Sequence, residues 1–454
     1  MHEPAIELPR VGAGARLRFA QDVVSARPDV LLFSGATAII AVHASLDSFV
    51  APEPGTGPED HLLRGSVSLA LLALAAAVYP RVAAGIRAAV AATLGALALE
   101  GAGLAIADAR AVGARGEDWT GFLLLPVGLL LLGLAVVLLW RSRKRGRLRY
   151  LRRGAIVIAT IVGTYVLVVP LGMGILATHR PRAAVEPADL GRPYEQVTVR
   201  TSDGLDLAAW YVPSLNGAAV LSYPTRQGKL PQARILVRHG YGVLLLDARG
   251  YDGSEGDPNL FGWDGAKDID AGVAWLRQRP DVTGGIGGMG FSVGGEMMLQ
   301  AAAFNPRLRA VVSEGAGARS VREDTLRGPR GWLALPEAAL QTAAVAVLSG
   351  TGPPPALHDL VRRITPRPVF LIFGGRGVES EELNVDFYRA ASAPKTLWMI
   401  PEAGHVGGFE ARPDEYERRV TGFFDRALLG PVSRRGREAH RQYLAWTARQ
   451  HALR

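Results

Sequence analysis

One serine of this chain lies in a sequence that can make its hydroxyl a nucleophile. Ser292 is the centre of the run Gly-Phe-Ser-Val-Gly-Gly at 290–295, which follows a short apolar stretch and precedes a run typical of a helix. A sharp strand-to-helix turn needs glycines around the serine, because a Cβ atom there would strike the neighbouring strand or helix. The serine hydroxyl is then exposed at a helix N-terminus, where the Val293 amide can stabilise an oxyanion.

A serine hydroxyl also needs an adjacent base that removes its proton as it attacks. His405 is the candidate, since it follows the last predicted strand in a loop beside Gly404. An imidazole exchanges protons near neutral pH and can return the proton to a leaving group. His239, in a predicted helix, and His358, in an irregular insert, are the alternatives.

The third member of such a constellation is a carboxylate that orients the imidazole. Glu379, Glu381 and Glu382 follow the seventh predicted strand, and Glu381 is the first choice with the other two as alternates. The competing interpretation is purely structural: Ser380 would cap a helix, and glutamates in its first turn would favour the helix dipole.

Strand and helix patterns alternate through the C-terminal half of the chain. Strands are predicted at 195–201, 207–212, 218–223, 243–247, 286–290, 310–313, 369–373 and 396–400. Helices are predicted at 230–239, 266–278, 296–304, 381–391 and 414–429. Buried apolar strands alternating with amphipathic helices indicate a mostly parallel, doubly wound sheet.

Residues 194–430 resemble the α/β-hydrolase superfamily. The resemblance rests on the serine turn at 290–295, the glycine-rich segment 247–254 after the fourth predicted strand, and His405 after the last strand. The candidate catalytic residues also follow the order that the superfamily uses, which is nucleophile, acid, histidine. It implies an eight-stranded sheet and a serine hydrolase of the esterase, lipase or peptidase kind. Such an enzyme cleaves an ester, thioester or amide through an acyl-enzyme. An acyltransferase would use the same residues. Asp247 is interpreted as structural.

Two departures from the superfamily pattern keep a second hypothesis open. After the seventh strand the superfamily usually carries an aspartate, whereas here a glycine stands at that place. The third strand is usually followed by His-Gly, whereas here Tyr223, Pro224, Thr225 and Arg226 follow Ser222. Proline has no amide proton, so the oxyanion donors would be Val293 with Tyr223 or Thr225. Arg226 could bind an acidic substrate or lie on the surface. The second hypothesis is a catalytically silent binding or sensory domain.

The insert 315–365 interrupts the strand–helix alternation and is predicted to form a cap. Its apolar candidates for an acyl pocket are Trp332, Leu333, Leu335 and Leu340. Core packing explains those residues equally well, so the substrate-binding residues stay unknown.

The N-terminal part of the chain contains five apolar segments, at 30–50, 62–79, 86–107, 122–140 and 154–178. A span of about 20 apolar residues crosses a bilayer, so 29–178 is predicted to be a membrane domain of about five helices. The chain as a whole resembles bacterial membrane proteins that carry an α/β-hydrolase domain after a helical anchor.

Charge distribution predicts the orientation. The run 141–153 is strongly basic, the N-terminal segment 1–28 is basic, and the connection after the second segment carries Arg81 and Arg87, whereas the 51–61 loop is acidic. By the positive-inside rule, the N-terminus lies in the cytoplasm and five crossings put everything after residue 178 outside the bacterial cell membrane. Four crossings would leave the hydrolase domain in the cytoplasm.

Composition excludes several functional classes. The chain has no cysteine, and therefore neither a thiolate nucleophile nor a disulfide framework. Its net charge of +9 is largely local to 141–153, so no nucleic-acid-binding face is predicted. No metal or organic cofactor is required. The expected partners are a small-molecule or lipid-like acyl substrate and the bilayer, with the oligomeric state unknown. His43 and Asp47, near the end of the first segment, are interpreted as snorkelling to the interface, and the helices as an anchor.

The remaining segments are a proline-bearing linker at 179–193 and a basic C-terminal tail at 431–454.

Overall fold

The computed structural model describes residues 27–50, 58, 61–112, 118–140, 151–152, 155–156, 159, 163–180, 182–376 and 379–429. The predictions made for residues 1–26, for most of the basic run 141–153 and for the tail 431–454 lie outside the described residues.

The N-terminal region consists of apolar helices. In the described part these are α1 (Pro28–Ser45), α2 (Leu62–Val78), α3 (Ala84–Val112), α4 (Asp118–Trp140) and α5 (Val169–Thr178). By length and composition, three stretches of the described chain can cross a membrane, namely Pro28–Val50, Ala84–Ile106 and Trp119–Trp140. The second and fifth predicted segments fall on the shorter apolar helices Gly65–Arg81 and Val166–Thr178. The number of crossings therefore stays a prediction.

Close helix packing joins α3 to α4. A Cβ atom on Gly95 would lie 3.0 Å from the carbonyl oxygen of Gly128, and one on Gly128 would lie 2.8 Å from the carbonyl oxygen of Gly95. Small residues at such a crossing let the two backbones approach closely. Close van der Waals packing of this kind favours the association of apolar helices.

The C-terminal domain is built on one eight-stranded sheet in the order β1-β2-β4-β3-β5-β6-β7-β8. The strands are β1 (Glu195–Arg200), β2 (Asp206–Val212), β3 (Ala219–Tyr223), β4 (Gly242–Leu246), β5 (Ile286–Phe291), β6 (Leu308–Glu314), β7 (Val369–Gly374) and β8 (Lys395–Ile400). Strand β2 pairs antiparallel with both β1 and β4, and the other pairs are parallel. The predicted fold class is confirmed, with every predicted strand found within two residues of its observed ends.

Helices cover both faces of the sheet. They are α6 (Leu230–Arg238), α7 (Gly265–Leu276), α8 (Val293–Phe304), α9 (Val321–Leu326), α10 (Pro329–Ser349), α11 (Leu357–Leu360), α12 (Leu383–Ala390), α13 (Gly408–Ala411) and α14 (Pro413–Phe424). Within β4, Leu244 and Leu246 pack into one core while Val243 and Leu245 pack into the other. This alternation explains why a central strand reads as a continuous apolar run.

The insert after β6 supplies α9, α10 and α11. Helix α10 packs against α5, where a Cβ atom on Gly174 would lie 3.0 Å from the Cβ of Ala344. The predicted cap region is therefore helical and contacts the apolar N-terminal helices.

Candidate active site

Ser292 lies in the turn between β5 and α8. Its backbone has φ 53° and ψ −127°, a conformation rare for a residue with a side chain. The turn is held by a hydrogen bond of 2.8 Å from the Ser292 amide to the carbonyl oxygen of Glu314 on β6. Its tightness is clear at Gly290, where a Cβ atom would lie 2.2 Å from the carbonyl oxygen of Gly294. The predicted glycine requirement of this turn therefore has a specific steric cause.

His405 reaches the serine from the loop after β8. Its Nε2 lies 2.8 Å from the Oγ of Ser292, and its side chain is 35% exposed. Two contacts hold the loop: the Gly408 amide donates to the carboxylate of Glu314 at 2.9 Å, and Lys229 Nζ donates to the carbonyl of Val406 at 2.9 Å. Both contacts hold the backbone just after His405, and so fix the loop that carries the imidazole.

Glu381 lies on the other side of the imidazole. Its Oε1 is 2.5 Å from the Nδ1 of His405, and its side chain is only 1% exposed. The amide of Gly374, at the end of β7, donates to Oε2 at 3.1 Å. Glu382 is exposed, and the side chain of Glu379 lies outside the described residues. Of the three predicted glutamates, the structure brings Glu381 to the histidine.

The alternative histidines are paired elsewhere in the domain. His239 Nε2 lies 3.1 Å from a carboxylate oxygen of Glu417 on α14. His358 Nδ1 lies 3.6 Å from a carboxylate oxygen of Asp359 in the insert. The geometry therefore favours His405.

The segment after β3 lies directly against the serine turn. A Cβ atom on Gly294 would lie 2.5 Å from the carbonyl oxygen of Tyr223. Tyr223 itself is still inside β3, in register with Gly290, whereas Thr225 lies two residues beyond the end of the strand and is half-buried. Of the two predicted second oxyanion donors, Tyr223 therefore lies within the strand and Thr225 follows it.

Arg226 does not have the position that substrate binding requires. Its backbone amide and its Nε each donate to the carboxylate of Asp247 at 2.6 Å, and both side chains are buried. Burial raises the pKa of Asp247 to about 6, although the Arg226 guanidinium opposes the rise. The expectation that Arg226 binds an acidic substrate or lies on the surface is wrong, because the charge of Asp247 holds it inside the domain. That Asp247 is structural stays an interpretation, which agrees with its buried ion pair.

Two buried carboxylates beside the turn were missed by sequence reasoning. Glu296, in the first turn of α8, accepts a hydrogen bond of 3.1 Å from the Gly317 amide, and burial raises its pKa to about 8 against the opposing charge of Arg319. Glu314 accepts from the hydroxyl of Tyr416 at 2.5 Å, and burial raises its pKa as well. The sequence does contain a signal for them, because each is an acidic residue within or next to an apolar element. An acidic residue is rarely buried unless its carboxylate has a partner.

The apolar candidates of the insert are dispersed. Trp332 is 63% exposed, Leu335 is half-buried, and the side chain of Leu333 lies outside the described residues. Leu340 lines a cavity between α10 and the N-terminal helices.

Comparison with known proteins agrees with this architecture. Residues 182–366 match the family model of the X-Pro dipeptidyl-peptidases of the S15 family. The protein Rv2307c of Mycobacterium tuberculosis is 30% identical over 220 residues, covering 46% of this chain and 71% of that protein. The α/β-hydrolase domain-containing protein WAV2 of Arabidopsis thaliana is 31% identical over 140 residues, covering 29% of this chain and 45% of WAV2. The chain belongs to the α/β-hydrolase superfamily.

This α/β-hydrolase also has solved structural neighbours. The esterase Pf2001 of Pyrococcus furiosus aligns with a TM-score of 0.46 and 26% identity, covering 54% of this chain and 97% of the esterase. The family-model match begins at residue 182, after the apolar N-terminal helices. The protein is a serine hydrolase of the α/β type, so the predictions of family, fold and enzyme class are confirmed.

Proposed function

We propose that this α/β-hydrolase cleaves an ester, thioester or amide through an acyl-enzyme formed on Ser292, with His405 as the base and Glu381 as the acid. The observation that carries the proposal is the unbroken chain of contacts from Ser292 Oγ to His405 Nε2, 2.8 Å, and from His405 Nδ1 to Glu381 Oε1, 2.5 Å. This order of nucleophile, base and orienting carboxylate is what serine acyl transfer requires.

In the first half-reaction, the Ser292 oxygen attacks the substrate carbonyl carbon while His405 takes the hydroxyl proton. Glu381 holds the imidazole and stabilises its charged form without taking the proton itself. The amides of Val293 and Thr225 donate to the carbonyl oxygen as it becomes negative. His405 then protonates the leaving group.

In the second half-reaction, water attacks the acyl-serine ester while His405 removes a proton from the water. Collapse of the second tetrahedral intermediate releases the acid product, and the proton returns to Ser292. The exposed side of His405 leaves the imidazole accessible to both the leaving group and the incoming water.

We further propose that the apolar helices anchor the enzyme in the bacterial cell membrane, with the hydrolase domain outside the cytoplasm. Support comes from the three helices long and apolar enough to cross a bilayer and from the alternation of basic and acidic connections. The orientation requires an odd number of crossings before residue 179.

The test is labelling of the full-length protein with a membrane-impermeant fluorophosphonate, which reacts with activated serines. Native protein and Ser292→Ala are compared in intact cells and in lysate. Labelling of the native protein alone, already in intact cells, supports the nucleophile and the outward orientation. Labelling only after lysis overturns the orientation. A folded native protein that is unlabelled in both overturns the acyl-enzyme proposal and favours a silent binding domain.

A further inference from the structure

A cavity of about 510 Å³ lies between the N-terminal helices and helix α10 of the hydrolase insert. Its wall is overwhelmingly aliphatic, with Ile40, Leu72, Leu97 and Leu171 from the N-terminal side and Leu340 and Val347 from α10. The volume falls within the range of about 300–1,000 Å³ that is typical of small-molecule sites.

Polar groups in this cavity are concentrated where α1 and α5 end. His43 and Asp47 come from the end of α1, and His179 and Arg180 follow the end of α5. His43 Nδ1 lies 2.9 Å from Thr120 Oγ1, and His179 Nε2 lies 3.7 Å from an oxygen of Asp47. The cavity is therefore an apolar chamber with two imidazoles, a guanidinium and the Asp47 carboxylate at one end, which is the pattern of a site for an amphiphile.

The polar end adjoins the edge of the sheet that carries Ser292. The guanidinium of Arg180 lies 4.2 Å from the ring centroid of Tyr251, in the segment that follows the carboxyl end of β4. Because β4, β3 and β5 run in the same direction, Ser292 lies at that same edge.

A single loop connects the cavity wall to the serine turn. The Leu260 amide donates to the carbonyl of Ala177 on α5 at 2.8 Å, and the buried Trp263 packs on Ala177 and on Val345 of α10. In the same loop, a Cβ atom on Gly262 would lie 2.5 Å from the side chain of Val293. One face of the loop thus contacts α5 and α10, two of the helices that line the cavity, and the other contacts the residue after the nucleophile.

We propose that this cavity binds a fatty acyl chain, with the carboxyl end of the ligand at His43, His179 and Arg180. Burial of the chain against aliphatic side chains supplies the affinity. The Arg180 guanidinium orients the carboxyl group, because charge-assisted hydrogen bonds to carboxylates are the strong ones, while the nearby Asp47 carboxylate is paired with His179. The inference rests on the proposed function and narrows it: the substrates are long-chain acyl compounds that reach the hydrolase from the membrane.

The test uses full-length protein purified in detergent and palmitic acid that carries a photoreactive diazirine in its chain. Crosslinked peptides are mapped by mass spectrometry, with an excess of unlabelled palmitic acid as competitor. The expected crosslinks fall on the cavity faces of α1, α2 and α10 and disappear with competitor. Uncompeted crosslinks spread over outward-facing residues such as Leu129 and Val136, which are 58% and 62% exposed, would overturn the proposal.

Two substitutions fill the cavity from opposite walls. Ser68→Phe on α2 and Ala343→Phe on α10 both place a ring in the space that the chain would occupy. Each is expected to reduce competed crosslinking at least about tenfold, equivalent to about 1.4 kcal/mol of binding free energy. The matched control is Ala70→Phe, an exposed position two residues along the same helix and outside the cavity lining, which should crosslink as the native protein does. Unchanged crosslinking in both filled variants contradicts the inference.

Ser292→Ala separates this inference from the proposed function. The substitution removes the nucleophile and leaves the cavity intact, so the variant should still bind and crosslink the palmitic acid analogue. Cavity crosslinking of a native protein that fluorophosphonate does not label would overturn the acyl-enzyme proposal and keep the binding site. Fluorophosphonate labelling without cavity crosslinks would keep the enzyme and overturn the acyl-chain site.

Discussion

Two adjacent glutamates at the candidate site, Glu381 and Glu382, differ in their burial. Glu381 and Glu382 are neighbours in the sequence, yet one is buried against His405 and the other is exposed to solvent. A buried carboxylate with a fixed amide donor can hold one orientation of the imidazole, whereas an exposed side chain samples many. The difference gives a matched pair of variants.

Glu381→Gln is expected to reduce kcat by about 10⁴-fold, because an amide holds the imidazole in the wrong tautomer and does not stabilise its charged form. Glu382→Gln should leave kcat within about twofold of the native value, since the exposed carboxylate is replaced by a side chain of the same shape. Steady-state hydrolysis of a chromogenic ester by both purified variants measures this. Equal effects of the two substitutions would contradict the assignment of the acid.

Glu296 predicts a pH dependence of stability. Burial raises its folded-state pKa from 4.5 to about 8, so the unfolded chain ionises first as the pH rises. The stabilisation is complete below the unfolded value and is lost between there and about pH 8, with each unit of difference in pKa equivalent to about 1.4 kcal/mol. Glu296→Gln removes this titration and keeps an acceptor for the Gly317 amide.

The apparent unfolding temperature of the native protein should therefore fall more between pH 5 and pH 8 than that of Glu296→Gln. Glu382→Gln is the control, because its exposed carboxylate should leave the native pH profile unchanged. If Glu296→Gln follows the native profile, the buried carboxyl does not titrate in this range.

At the scale of elements, the serine turn depends on backbone contacts that no side chain can replace. A Cβ atom on Gly290 would be too close to the backbone oxygen of Gly294, and one on Gly294 would be too close to the backbone oxygen of Tyr223 at the end of β3. The packing of two elements, rather than the flexibility of the chain, imposes glycine at these positions.

Gly290→Ala is accordingly expected to lower the apparent unfolding temperature by several degrees, since forcing an extra carbon into a packed interior costs about 1–3 kcal/mol. It should also reduce fluorophosphonate labelling of Ser292, because the turn must open to admit the Cβ. Gly352→Ala is the control, as nothing lies within 4 Å of its Cβ position. Native behaviour of Gly290→Ala in both measurements would show that the turn is not constrained as described.

At the scale of the whole molecule, the hydrolase insert is docked on the N-terminal helices. Besides the contact between Gly174 and Ala344, the imidazole of His61 lies 3.4 Å from the carboxylate of Asp257 in the loop that contacts Val293. The helices therefore contact the hydrolase domain near the sheet edge that carries Ser292. An anchor joined to the domain only by a linker would not make these contacts.

A cysteine pair tests this docking, because the native chain has no cysteine and the introduced thiols are its only ones. Gly174→Cys with Ala344→Cys should form a disulfide on mild oxidation, since the 3.0 Å between the Cβ positions reaches the usual range of about 3.5–4.5 Å after a small shift. Mass spectrometry of the linked peptides reports the bond. Gly133→Cys with Ala344→Cys is the control that should stay reduced, and a failure of the first pair alone would contradict the docked arrangement.

Local patterns in the sequence predicted the sheet and indicated Ser292 and His405 as the candidate nucleophile and base. Alternating polar and apolar patterns are local properties, so the eight strands were predicted within two residues of their ends. The glycines around Ser292 and the loop position of His405 likewise follow from local requirements of the turn and of the strand end. The apolar N-terminal segments were recognised because their composition alone marks them.

Three features depend on tertiary packing: which glutamate contacts the histidine, where Arg226 lies, and what lies between the helices and the insert. Three neighbouring glutamates have equal propensities, and one becomes buried only when β7, β8 and the insert pack together. The sequence predicts a surface or substrate-binding position for Arg226, whereas in the fold its side chain pairs with the buried Asp247. The cavity is formed by segments that lie as far apart as residues 40 and 348. Contacts between such distant segments depend on how whole elements pack, and no local pattern in the sequence records that.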